Sequence, residues 1–258
     1  MAARLAFLGL LVWAGSAFSQ GFDHAHAAWD ALLRKDVVLL DGGKASRLRY
    51  AELQKERDAL KGYLAQLAAV GAPEFGAWTR EQQMAFLINA YNAAMADKVL
   101  ARYPRIGSVW DLGRIFSNPF KERSIALFGG QVSLDDIEHE FLRKRFRDPR
   151  VHYAVNCASL GCPMLREEAY VPERLDRQLD EQAERFLSDR ARNRAAGGRL
   201  EVSKIFEWYR EDFEPLPAYL GRYAKLLSGD AAEQTRIAQG TVPIVFLEYD
   251  WALNDAKK

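Results

Sequence analysis

Apolar residues along this chain alternate between helical spacing and short continuous runs, and the order of the two is informative. In DHAHAAWDALLRKDV, Trp29, Leu32 and Leu33 fall on one helical face. DGGKASRLRY turns at Gly42-Gly43 and leads into a short strand. YAELQKERDALKGYLAQLAAV carries Leu53, Leu60, Leu64 and Leu67 on one stripe and is predicted as a second helix. VGAPEFGAW reads as a loop. Thr79 with Gln82 forms a capping box that opens a long helix, TREQQMAFLINAYNAAMADKVLARY, which ends before Pro104. From Gly107 to Gly130 frequent turns suggest a short helix, a loop and a hairpin. Ser133 and Asp136 cap SLDDIEHEFLRKRF, which closes at Asp148-Pro149. VHYAVNC reads as a buried strand. A helix follows over PERLDRQLDEQAERFLSD, with Leu175, Leu179, Ala183 and Phe186 facing inward. AGGRLEVSKIFEWY pairs a turn with a strand, PLPAYLGRYAKLL is a helix, and TVPIVFLEYDW is a final strand.

Helices come first and mixed elements follow, with no regular βαβ alternation and no internal repeat. The expected class is α+β, a small, mainly antiparallel sheet packed against several helices. No Pro/Ser/Gly-rich linker splits the chain, so residues 22–254 are expected to form a single domain.

The first residues change the expected compartment. MAARLAFLGLLVWAGSAFSQ has an early Arg4, an apolar run from Leu5 to Ala14, and small residues at Ala17 and Ser19. That is the layout of a signal peptide over residues 1–19. The run is short of the ~20 residues of a membrane span. The chain is therefore expected to be exported, to a periplasmic or extracellular location, with no membrane span after signal removal. A formal net charge of +1, without a concentrated basic patch, argues against a nucleic-acid partner.

Export bears on the two cysteines, Cys157 and Cys162 of NCASLGCP, because thiols in an oxidising compartment tend to pair. The same loop could present Cys157 as a nucleophile at a sharp turn, with backbone N–H groups free to hold an oxyanion and Gly161 easing the backbone. Ser159 is a second candidate for the reactive group. On an extended strand, His152 would lie ~16 Å from Cys157. A base for Cys157 is therefore sought elsewhere, and His139 is the candidate. Asp135, four residues earlier, shares its helix face and could orient the ring. Glu138 points about 100° away around an α-helix. A soft nucleophile, a base and an orienting acid are what acyl transfer needs. His152 and Asn156 share a face of VHYAVNC. Asn89 and Asn92 interrupt an apolar helix face and must be hydrogen-bonded, either tying the helix to a loop or lining a pocket. Trp208 and Trp251 are core or pocket-wall residues. The cysteine spacing and the absence of an HExxH motif argue against a metal site, and no cofactor is expected.

Three blocks now stand together: INAYNAAMADKVL, then VSLDDIEHEFLRKRFRDPRVHYAVNCASLGCPMLREEAY, then SKIFEWYREDF with EYDWALN. In this combination the chain resembles the DUF547 family, a domain of unknown function, best over residues 78–254. The resemblance implies an exported bacterial protein. It marks Asn92, Glu138, His139, His152, Asn156, Cys157, Ser159, Cys162 and Pro163 as characteristic positions, without saying which are catalytic.

Two function classes follow. One is a cysteine-dependent hydrolase or acyltransferase acting on an amide or thioester of the cell envelope, with a small-molecule or peptide-like substrate. Here Cys157, His139, Glu138 and Asp135 would be catalytic, and Asn92, His152, Asn156, Ser159 and Cys162 would bind. The other is a non-enzymatic envelope binding or structural module held by a Cys157–Cys162 disulfide, which requires Cα atoms ~4.4–6.8 Å apart.

Overall fold

The computed structural model describes residues 21–113 and 118–256. The expected signal peptide lies outside the described residues. The chain is α+β, but among the described residues the strands form three small sheets rather than one.

Helix α1 (Ala27–Asp36) packs Trp29, Leu32 and Leu33 inward and feeds a hairpin of β1 (Val37–Leu40) and β2 (Ala45–Leu48). The next predicted helix breaks into α2 (Tyr50–Leu53), a 3₁₀ turn and α3 (Arg57–Ala69). The stretch expected as a loop contains a short helix, α4 (Ala72–Ala77), with Pro73 in its first turn, where a missing N–H costs nothing.

Helix α5 (Arg80–Leu100) is the centre of the larger core. Thr79 Oγ1 accepts from Gln82 N, and Gln82 Oε1 accepts from Thr79 N, which completes the expected capping box. Every residue from Gln83 to Ala96 is buried, so the helix is enclosed all round rather than amphipathic. Its polar residues are therefore individually matched. Asn89 donates to Tyr170 O and accepts from Tyr170 N. Asn92 donates to Ala154 O and accepts from Asn156 N.

A second hairpin, β3 (Ile125–Leu127) with β4 (Gly130–Val132), precedes a π-helix over Asp136–Arg143. Ser133 and Asp136 cap it reciprocally, as expected. A turn of α6 (Lys144–Phe146) ends it. The VHYA segment is not the strand its composition suggests. It is a single helical turn, α7 (Val151–Ala154), and only from Val155 is the backbone extended. Buried apolar runs of this length fit helix or strand equally, and here Asn92 Nδ2 donates to the last carbonyl of the turn.

Helix α8 (Leu175–Ser188) opens a smaller core with Tyr153, Phe186, Phe206 and Phe213. Strands β5 (Arg194–Ala196) and β6 (Arg199–Val202) form a hairpin whose Gly197 and Gly198 both take positive φ, as a two-residue turn requires. Short helices α9 (Ile205–Trp208), α10 (Leu216–Gly221), α11 (Ala224–Leu227) and α12 (Ala231–Ala238) lead to β7 (Ile244–Phe246), which adds parallel to β6. Residues 250–256 then run back across the molecule. They bond to Gly161, Leu160, Gly107, Ala158 and Leu48 in turn. No helix among the described residues is long and apolar enough to cross a membrane.

Candidate functional site

A cleft of roughly 240 Å³ lies between the two cores. Helix α5 supplies Tyr91; the π-helix and the residue before it supply Asp135, Glu138 and His139; α7 supplies His152. Cys157 and Cys162 form part of the wall, and the mouth is framed by Trp110, Trp208, Tyr249 and Trp251.

The π-helix sets the floor. π-helical segments are rare and occur often at functional sites. Glu138 is turned into the protein, only 8% exposed, while His139 beside it stays half-buried. Glu138 receives hydrogen bonds from the hydroxyls of Tyr91 and Tyr209. Both phenols are held far above their ordinary range, by burial first and by the Glu138 charge second.

The two histidines differ in what their nitrogens meet. Arg143 Nη1 lies 2.8 Å from His139 Nδ1. A guanidinium only donates, so Nδ1 is the lone-pair nitrogen and Nε2 carries the hydrogen. That Nε2 faces Asp135 at 3.6 Å, the pairing expected from their spacing. The lone-pair nitrogen of His139 is thus occupied. His152 has a side chain 1% exposed, and its Nε2 lies 2.6 Å from Asp212 Oδ2. Its Nδ1 is buried without a hydrogen-bond partner, 4.0 Å from Glu138 Oε1 and beyond bonding reach. The ring stacks on Tyr209 with centroids 4.0 Å apart. Asp212 also accepts from Arg143 Nε at 2.6 Å. Burial alone would raise its carboxyl, but the bonds from His152 and Arg143 outweigh that and hold it well below the usual carboxylate range.

Cys157 and Cys162 are joined in a disulfide, with Cα atoms 6.2 Å apart. The hydroxyls of Ser159 and Tyr249 approach Cys157 Sγ at 3.0 and 3.3 Å and each other at 3.2 Å. Burial pushes the Tyr249 phenol up. Five of the turn's N–H groups are already bonded within the protein and are not free for an oxyanion. Those of Cys157, Ala158, Leu160, Gly161 and Cys162 bond to Cys162 Sγ, Asn156 Oδ1, Ala252 O, Asp250 O and Ser159 O. The left-handed residue is Ala158, φ 64°, rather than Gly161. Gly161 serves close approach instead: a Cβ there would meet Tyr249 Cε1 at 2.9 Å and Asp250 N and O at 3.0 Å.

The structure therefore groups Cys157, Cys162, Glu138, His139, Asp135 and His152 in one cleft. The separation of His152 from Cys157 argued from an extended strand does not hold, because α7 folds that stretch back and both residues line the same cavity. Asn92, Asn156 and Ser159 lie behind the wall. Asn156 donates to Pro163 O and accepts from Ala158 N and Asn254 Nδ2, so with Asn92 it shapes the cysteine loop. Asp212, Tyr209 and Tyr249 were not anticipated. Asp212 lies 60 residues from His152, and the only sequence signal was its place in the block SKIFEWYREDF.

No curated protein and no solved structure matches the chain. Residues 75–187, which carry the floor of the cleft and both cysteines, match the DUF547 family, described as a protein of unknown function.

Proposed function

We propose that the cleft is the active site of an exported cysteine-dependent hydrolase or acyltransferase, with an amide or thioester substrate. Cys157 is the nucleophile, His152 the base and Asp212 the orienting acid. One observation carries this reading. A buried imidazole in the cleft has one nitrogen held by a carboxylate and the other without a partner. With Asp212 taking the Nε2 hydrogen, Nδ1 keeps the lone pair of a base. His139, the base suggested by sequence spacing, has its own lone pair occupied by Arg143, which suits it to positioning.

In this reading the disulfide is the oxidised, latched form. An external dithiol reduces it by exchange and is itself oxidised, leaving two thiols. His152 Nδ1 then takes the Cys157 proton, and the Ser159 and Tyr249 hydroxyls donate to the thiolate. The sulfur attacks the carbonyl carbon, and the leaving amine or thiol departs with the proton from His152. Water or a second nucleophile releases the acyl group. Glu138, with Tyr91 and Tyr209 donating to it, forms the polar floor.

The test is the rate of Cys157 alkylation in reduced protein as a function of pH. His152→Ala should remove the fast reaction near neutral pH, and His139→Ala should slow it less. Equal rates in wild type and His152→Ala overturn the assignment. The disulfide itself favours a second reading, a binding module whose cleft never releases a thiol. Mature protein from its export compartment with both sulfurs resistant to mild dithiol, and a cleft that still binds ligand, would establish it.

A further inference from the structure

The mouth of the cleft is an aromatic wall. Trp251 lies 5.0 Å from Trp110, 5.6 Å from Trp208 and 4.5 Å from Tyr249, centroid to centroid. Trp208 and Trp110 are 44% and 43% exposed, which large apolar rings accept only at a cost when nothing covers them. The charges on the cleft are one-sided. Its acids are Asp135 and Glu138, and no Lys or Arg lines it among the described residues. Arg143, behind His139, has its guanidinium bonded to Asp212 and Glu211. Glu138 takes two phenol hydrogens, and no Lys or Arg pairs with it among the described residues.

Ring faces carry negative potential, and aromatic walls with an acidic side chain below them suit an alkylated ammonium group. A neutral sugar would stack on the rings but would gain nothing from two acids that no Lys or Arg among the described residues neutralises. The geometry points to a substrate that carries an organic cation, a quaternary or alkylated ammonium, seated against Trp208 and Trp251 with Glu138 and Asp135 beneath. The inference rests on the cleft being the substrate site and names the class of group it selects. It does not require Cys157 to react.

The probe is choline, and the comparison is its neutral carbon isostere, 3,3-dimethylbutan-1-ol, on the full mature chain. Binding is read by tryptophan fluorescence and by chemical shifts of the indole N–H groups. Choline should bind about tenfold more tightly than the isostere. Trp208→Ala, on the exposed rim, and Glu138→Gln, on the floor, should each remove most of that preference; the first keeps the test valid if the second disturbs folding. Choline should bind equally to the oxidised and the dithiol-reduced chain, which separates a failure of the thiol chemistry from a failure of the cation site. Equal affinity for cation and isostere, tighter binding of methyl glucoside than of choline, or no saturable response to choline overturns the inference.

Discussion

Replacing Asp212 by Asn tests the electrostatic arrangement beneath the cleft. Asp212 Oδ2 accepts from His152 Nε2 and from Arg143 Nε, both at 2.6 Å. Hydrogen bonds to charged groups contribute roughly 1.5–3 kcal/mol each. The carboxyl is a quarter exposed, so solvent screens part of this, and a loss of about 2–3 kcal/mol at pH 7 is expected. The sign with pH follows from the depressed carboxyl. A group whose folded value lies below its unfolded value stabilises the fold fully above the unfolded value, near ~3.9, and loses that contribution as pH falls further. The gap between wild type and Asp212→Asn should therefore be widest at neutral pH and narrow steadily below about pH 4. Urea unfolding followed by circular dichroism, at several pH values and with the slope of the transition unchanged, measures it. A loss below about 0.5 kcal/mol, or a gap independent of pH, would refute the reasoning.

Other outcomes follow from the same structure. Glu168, whose carboxyl is held at about 2 because hydrogen bonds from Gln178, Arg166 and Arg174 outweigh its burial, should supply acid resistance. Glu168→Gln should unfold more easily than wild type above about pH 4.5, and the difference should close between there and about pH 2, as read from urea midpoints. Gly161→Ala forces a Cβ against Tyr249 and Asp250 and should cost about 1–3 kcal/mol while changing the fluorescence of Trp251. Reducing the Cys157–Cys162 disulfide, which spans five positions, should cost about 2 kcal/mol and leave far-ultraviolet circular dichroism unchanged. Asn92→Leu strands Ala154 O and Asn156 N and should cost about 2–4 kcal/mol in thermal or urea unfolding.

What could be read from the sequence was local. Thr79 and Gln82 announced α5 because a cap depends on residues three apart. Ser133 with Asp136, and Asp135 with His139, were legible for the same reason. The buried amides of α5 had to be satisfied, and they are, by loop backbone far away in sequence. VHYA was misread because four buried apolar and aromatic residues carry no period that separates one helical turn from a strand. That error displaced His152 from the cysteines and favoured His139. The π-helix left no mark in the composition, yet Glu138 sits on it with its side chain buried. Asp212 could not be paired with His152 from spacing, since only the packing of a 3₁₀ turn against α7 brings them together.

The path of residues 249–255 makes the family boundary and the chemical boundary different things. The family match stops at residue 187, with Tyr91, Glu138, His139, His152 and the cysteines inside it. Tyr209, Asp212, Tyr249 and Trp251 lie outside it, and residues 250–255 are stitched to the cysteine loop, to Gly107 and to Leu48. A fragment cut to the matched stretch keeps the floor of the cleft and Trp110 but loses Tyr209, Asp212 and the rest of the aromatic rim. Inheritance can conserve the one while the other is rebuilt, so two chains sharing this stretch need not share a ligand. Rebuilding the cleft on another scaffold would mean moving segments that are dispersed along the chain, not one contiguous cassette.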